Sequence, residues 1–114
     1  MTSRIGMDDA SNRSNVLQKI VGREVKIGVV GMGYVGLASA GAFVAAGYEV
    51  VGVDSDEARV REIATLAEPL LSADLDLRRE LGAAIHARRF RVVTDYAALA
   101  VCNVVVLCVP TPAT

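Results

Sequence analysis

VKIGVVGMGYVGLASA, Val25 to Ala40, changes character twice along its length. Val25–Val30 is a near-continuous β-branched run, the pattern of a strand buried on both faces. Gly31 to Gly36 is a glycine-punctuated turn. From Tyr34 to Ala46 small and apolar residues read as a buried helix, with Gly47 closing it at the position after the C-cap. The turn itself, Gly31-Met32-Gly33-Tyr34-Val35-Gly36, fits G-x-G-x-x-G and stands directly between strand and helix. In such a turn Gly31 permits the sharp reversal, Gly33 lets the backbone approach a pyrophosphate, and Gly36 lets the helix lie close to the sheet. The free N–H groups and the positive helix end then favour phosphate charge.

Outward from this turn, Glu49 to Val53 is a second buried strand, and it ends on Asp54, 23 positions after Gly31. A carboxylate there can accept hydrogen bonds from both ribose hydroxyls of adenosine and would repel a 2′-phosphate, which favours NAD over NADP. The competing readings are a purely structural turn with Asp54 capping the next helix, or another ligand of such folds, FAD or S-adenosylmethionine. Ser55 or Asp56 opens that next helix, with Val60, Ile63 and Ala64 inward, and Pro69 ends or redirects it. Leu75–Ala87 reads as a further helix with Leu77, Leu81 and Ile85 on one stripe. Arg91–Val93 is a short strand, Asp95–Ala100 one or two helical turns, and Val104–Val109 a last apolar strand, left as an edge of a half-built sheet or covered by something else, and stopped by Pro110-Thr111-Pro112.

Upstream, Asn15–Arg23 carries Val16, Leu17, Ile20 and Val21 at helical spacing, and residues 1–14 read as a flexible polar arm. The partial domain is thus expected over residues 15–114. Buried strands alternating with helices imply an α/β fold with a parallel sheet. Right-handed crossovers give the strand order 3-2-1-4, the first half of a doubly wound, Rossmann-like fold.

Composition removes several other classes. A chain of 114 residues allows one domain. Its net charge of −1 lacks the basic excess of a nucleic-acid binder. With 53% apolar and 22% charged residues it is not a disordered chain. Two cysteines, Cys102 and Cys108, do not make a secreted disulfide scaffold, so a reducing cytoplasm is expected. Ile27–Tyr48 is charge-free and long enough to span a bilayer, but six glycines argue against a continuous helix, and no membrane partner is expected.

The runs KIGVVGMGYVGLASA and VVGVDSDEARV, with the closing Leu107-Cys108-Val109-Pro110-Thr111-Pro112, resemble the UDP-glucose/GDP-mannose dehydrogenase family. GYVGL at Gly33–Leu37 and V-P-T-P at Val109–Pro112 are far more specific than the glycines alone. The leader Leu17-Gln18-Lys19-Ile20 with Arg23-Glu24 also resembles the branch acting on UDP-N-acetylhexosamines. The family oxidises the C6 alcohol of a nucleotide sugar to a carboxylate in two NAD-dependent steps. The resemblance implies that the turn Gly31, Met32, Gly33, Tyr34, Val35 and Gly36 holds the NAD pyrophosphate, Val35 through its backbone. It implies that Asp54 takes the adenosine ribose, that Arg59 stands where a lysine neighbours the same ribose, and that Thr111 approaches the nicotinamide-side ribose. Ala38 departs from the family's usual proline, and the segment Ala67–Leu75 matches only loosely.

No residue here is expected to be catalytic or to bind a metal. The family's catalytic cysteine, with its lysine and asparagine partners, lies in a part that this sequence does not include. Cys108, read as lying in a buried strand with a raised pKa, is a poor nucleophile. His86, with Arg88 and Arg89, suits a helix C-terminus. The chain is therefore expected to be part of a longer dehydrogenase, meeting a nucleotide-sugar substrate only in that context. It is expected to be inactive alone, and either to form homo-oligomers or to lack C-terminal domains. Two alternatives stay open: a stand-alone NAD-binding or partner-binding module, and the Rossmann half of another family such as a hydroxyacyl or phosphogluconate dehydrogenase.

Overall fold

In the computed structural model, which describes residues 24–67, 71 and 73–108, four strands and three α-helices alternate along the chain. The strands are β1 (Lys26–Val30), β2 (Glu49–Val53), β3 (Phe90–Val93) and β4 (Val104–Leu107). The helices are α1 (Tyr34–Ala45), α2 (Glu57–Ala64) and α3 (Leu75–His86), with a 3-10 helix over Tyr96–Val101 leading into β4. The strand order is β3-β2-β1-β4, all parallel, as the alternation of elements required. The arm over 1–14, the helix over 15–23, Pro69, and the closing segment from Val109 with Thr111 lie outside the described residues.

β1 and β2 are β-branched runs because both are central, with a strand on either side and chain on both faces. One rung shows the layering: Ile27 pairs with Val50, and Val50 with Phe90. These three side chains face the helices and join a core with Val29, Leu37, Ala40, Val44, Ile63, Leu81 and Ala84. The next rung points the other way. A side chain on Gly28 would strike Leu99 Cδ2 (2.6 Å) and Cys102 Sγ (3.1 Å), so the 3-10 helix and the residue that follows it lie directly against this face.

All three helices end in the same way. In α1, Gly47 at φ 100° donates to the Val44 carbonyl (2.9 Å) and Tyr48 N to that of Phe43 (3.0 Å), the paired bonds of a Schellman motif. Leu66 after α2 and Arg88 after α3, each at φ 61°, make the same reversal without being glycine.

The sheet decides one open expectation and corrects two others. β4 is the edge of the half-built sheet, the first of the two places left open for it, and Val104, Val105 and Leu107 are exposed. Cys108 follows that strand and is half-buried, instead of lying inside a buried run. Ala64 is exposed and Val60 only half-buried, which leaves Ile63 as the buried residue of α2.

Candidate functional site

At the carboxyl end of the sheet, β1 runs into Gly31, whose φ of 94° is open to glycine and strained for other residues. Gly31 N donates to Val53 O (2.8 Å), which hooks the turn over the end of β2. Gly36 lies directly on this turn: a Cβ there would collide with the Gly31 carbonyl oxygen. The third glycine differs in kind. Gly33 has φ −76°, and a Cβ added to it would meet nothing within 4 Å. Among the described residues, neither the backbone nor the packing requires glycine at position 33.

Gly33 is also the N-cap of α1, and no side chain caps that helix. The other helices have carboxylates in this place. Asp56 accepts from Ala58 N (3.0 Å) and Arg59 N (3.2 Å), Asp74 from Leu77 N (3.0 Å), and Asp95 from Ala97 N (2.9 Å). The first turn of α1 contains no acidic residue either, so its orphan N–H groups and positive dipole end meet no carboxylate of their own helix. Tyr34 and Val35 on that turn are 71% and 61% exposed.

Asp54 stands at the end of β2 beside this turn. Its Oδ2 accepts from Met32 N (2.8 Å) and its Oδ1 from Asp56 N (2.9 Å), while its own N–H donates to Val93 O (3.1 Å). The α2 cap is therefore Asp56, and Asp54 instead ties the glycine turn to the loop after β2. Arg59, on the first turn of α2, donates from Nη1 to the Met32 carbonyl (2.9 Å). The Met32 side chain is fully buried, with its sulfur packed where Gly52 lacks a Cβ. The structure thus brings Gly31, Met32, Gly33, Tyr34, Val35, Gly36, Asp54 and Arg59 to one place, whereas Thr111 lies outside the described residues. The double hold on the Met32 backbone was not read from the sequence. Part of its signal was present, since Asp54 and Asp56 have the spacing of an Asx turn.

The remaining titratable candidates lie elsewhere. Burial against the sheet pushes the Cys102 thiol above its ordinary 9.0, outweighing the nearby charges of Arg91 and Lys26. Cys108 Sγ is 4.0 Å from Ser39 Oγ. His86 is the last residue of α3. No group of three or more His, Cys, Asp or Glu that could hold a metal occurs among the described residues. Nor, among them, is any helix long and apolar enough to cross a membrane.

An adenine dinucleotide fits this constellation on one structural ground. The space beside Gly33, which a Cβ would enter, adjoins uncapped helix amides, with a carboxylate held across the turn. Comparison with known proteins agrees. Residues 25–114 match the UDP-glucose/GDP-mannose dehydrogenase family, NAD binding domain. The UDP-N-acetyl-D-mannosamine dehydrogenase of Methanococcus aeolicus is 40% identical over 89 residues, covering 78% of this chain and 19% of that protein. The GDP-mannose 6-dehydrogenase of Pseudomonas putida is 35% identical over 89 residues, covering 77% and 20%. The solved structure of UDP-D-ManNAc dehydrogenase from Pyrococcus horikoshii superposes with a TM-score of 0.71 at 29% identity, covering 79% of this chain and 21% of that one. The chain thus spans about a fifth of the length of these relatives. From the strand order, the glycine turn and the match over residues 25–114, it follows that this chain belongs to the UDP-glucose/GDP-mannose dehydrogenase family, as its NAD-binding domain.

Proposed function

We propose that the chain binds the ADP half of NAD at the turn Gly31–Gly36 and at Asp54. In this reading it serves as the cofactor-binding part of a nucleotide-sugar dehydrogenase. The observation that carries the reading is Gly33, a glycine for which the described residues give no structural use. A pyrophosphate supplies the missing reason. Gly33 leaves room for it, and the amides of Gly33, Tyr34, Val35 and Gly36 donate to it together with the α1 dipole. Asp54 keeps acceptor capacity beyond its two backbone bonds and takes the ribose hydroxyls, and its charge opposes a 2′-phosphate. Arg59 lies at the same ribose end, and Thr111 is assigned to the nicotinamide side by resemblance alone. NAD supplies a hydride acceptor when bound, and the residues of this chain hold and orient it.

The relatives named above point to UDP-N-acetylhexosamines or GDP-mannose as the substrate of the whole enzyme. The setting that fits is the cytoplasm, in the making of polysaccharide precursors. Both cysteines are free thiols, which suits that compartment.

The test is a thermal-melt titration with NAD and, separately, NADP. NAD at 100 times its dissociation constant should stabilise the chain by about 2.7 kcal/mol, with a much smaller effect of NADP. Gly33→Ala should melt within about 1 kcal/mol of the parent and lose the NAD response. A cooperative melt that NAD leaves unmoved would sink the proposal.

A further inference from the structure

Met32 is fixed at three points: its N–H by Asp54 (2.8 Å), its carbonyl by Arg59 Nη1 (2.9 Å), and its side chain by complete burial beneath Gly52. That carbonyl belongs to the peptide bond whose nitrogen is Gly33 N. No described peptide bond is cis, and in a planar trans peptide the C=O and the N–H point to opposite sides. Holding the Met32 oxygen therefore fixes where the Gly33 N–H points. We propose that Arg59 is a positioning residue that acts through the Met32 carbonyl, aiming the Gly33 amide at the diphosphate of the bound nucleotide. This role is distinct from a contact with the adenosine ribose, and it rests on the function proposed above.

The chemistry of the side chain suits the task. A guanidinium is charged at every relevant pH and presents several donors in a rigid fork, so it can hold one carbonyl while its remaining donors engage elsewhere. Asp54 and Arg59 grip the two ends of one residue with opposite charge, which opposes rotation of the Met32–Gly33 peptide. With the peptide held before binding, the nucleotide loses no affinity in ordering the turn.

The experiment uses the full 114-residue chain, labelled with 15N, as the parent and as Arg59→Leu and Arg59→Lys. The probes are ADP and adenosine, which differ by the diphosphate. The Gly33 amide resonance is recorded first without nucleotide. In Arg59→Leu it should shift or broaden, and Arg59→Lys should restore part of the change. On titration, Arg59→Leu should weaken ADP about tenfold, the scale of one charge-assisted hydrogen bond. Adenosine should stay within about twofold of the parent, because it has no diphosphate for the turn to meet. An unmoved Gly33 resonance in Arg59→Leu overturns the proposal. So does an equal loss for ADP and adenosine, which would place Arg59 directly on the ribose. If the parent binds neither probe, the nucleotide site itself is refuted. The nucleotide-free Gly33 resonance would then report separately whether Arg59 orients the turn.

Discussion

Alanine at Gly33 and alanine at Gly36 are the same change three residues apart, and opposite outcomes are expected. At Gly36 the new methyl meets the Gly31 backbone oxygen, which cannot move without undoing the turn. Gly36→Ala should therefore lose several kcal/mol of stability, or fail to fold, as overpacking against backbone does. At Gly33 the methyl enters open space, so the folded state is kept and ligand binding is lost. Chemical denaturation of both variants beside an NAD titration separates the two. The motif already assigns the three glycines different roles, and the geometry bears the sorting out: Gly31 is held by its φ and Gly36 by close approach, here to the Gly31 carbonyl, while Gly33 is held by neither among the described residues. Met32 is a different case: an unspecified position of the motif turns out to be a core side chain, because a turn has no periodicity from which burial could be read.

At the scale of elements, the ends of the helices hold the clearest margin for change. Arg88 closes α3 at φ 61°, a conformation that costs a side-chain-bearing residue about 1–2 kcal/mol. Its side chain is not part of the core, so Arg88→Gly should raise stability by about 0.5–1 kcal/mol in urea unfolding. Leu66 closes α2 with the same φ but packs against the core, so Leu66→Gly should gain less or lose stability. The elements themselves were legible in the sequence. Central strands need β-branched side chains on both faces, and Asp56 and Asp95 announce helix starts by their capping chemistry, while the Asp74 cap of α3 is seen only in the structure. The sequence placed Asp54 at the turn and offered Ser55 or Asp56 as the helix start. What it left open was which of those two caps α2 and whether Asp54 could do so instead. Two carboxylates two residues apart offer the same chemistry, and the end of β2 decides which one reaches the turn. Ala64 failed for a related reason, since a methyl group suits either side of a helix.

Across the whole molecule the sheet is unevenly covered. Among the described residues β1 and β2 are sealed, whereas β4 pairs on one side only, with Val105 44% and Leu107 70% exposed. An apolar run predicts that a strand forms, but its burial depends on what packs over it, and that information lies outside the run. An uncharged edge of this kind favours pairing between chains. Leu107→Lys should lower concentration-dependent light scattering while moving the folding free energy by less than about 0.5 kcal/mol. Unchanged scattering would place the sticky surface elsewhere. The hydrogen bonds at the top of the sheet carry one more consequence. Gly31 to Val53, Met32 to Asp54 and Asp54 to Val93 stitch the ends of β1, β2 and β3 together, while β4 is tied to the same end by Cys108 N to Val30 O (2.7 Å), one residue before the turn. Partial opening of that edge would break the Cys108–Val30 bond but leave the bonds of Gly31, Met32 and Asp54 to β2 and β3 in place. A ligand seated on the turn is therefore expected to protect the amides of Gly31, Met32 and Asp54 from exchange more than those of Val104–Leu107.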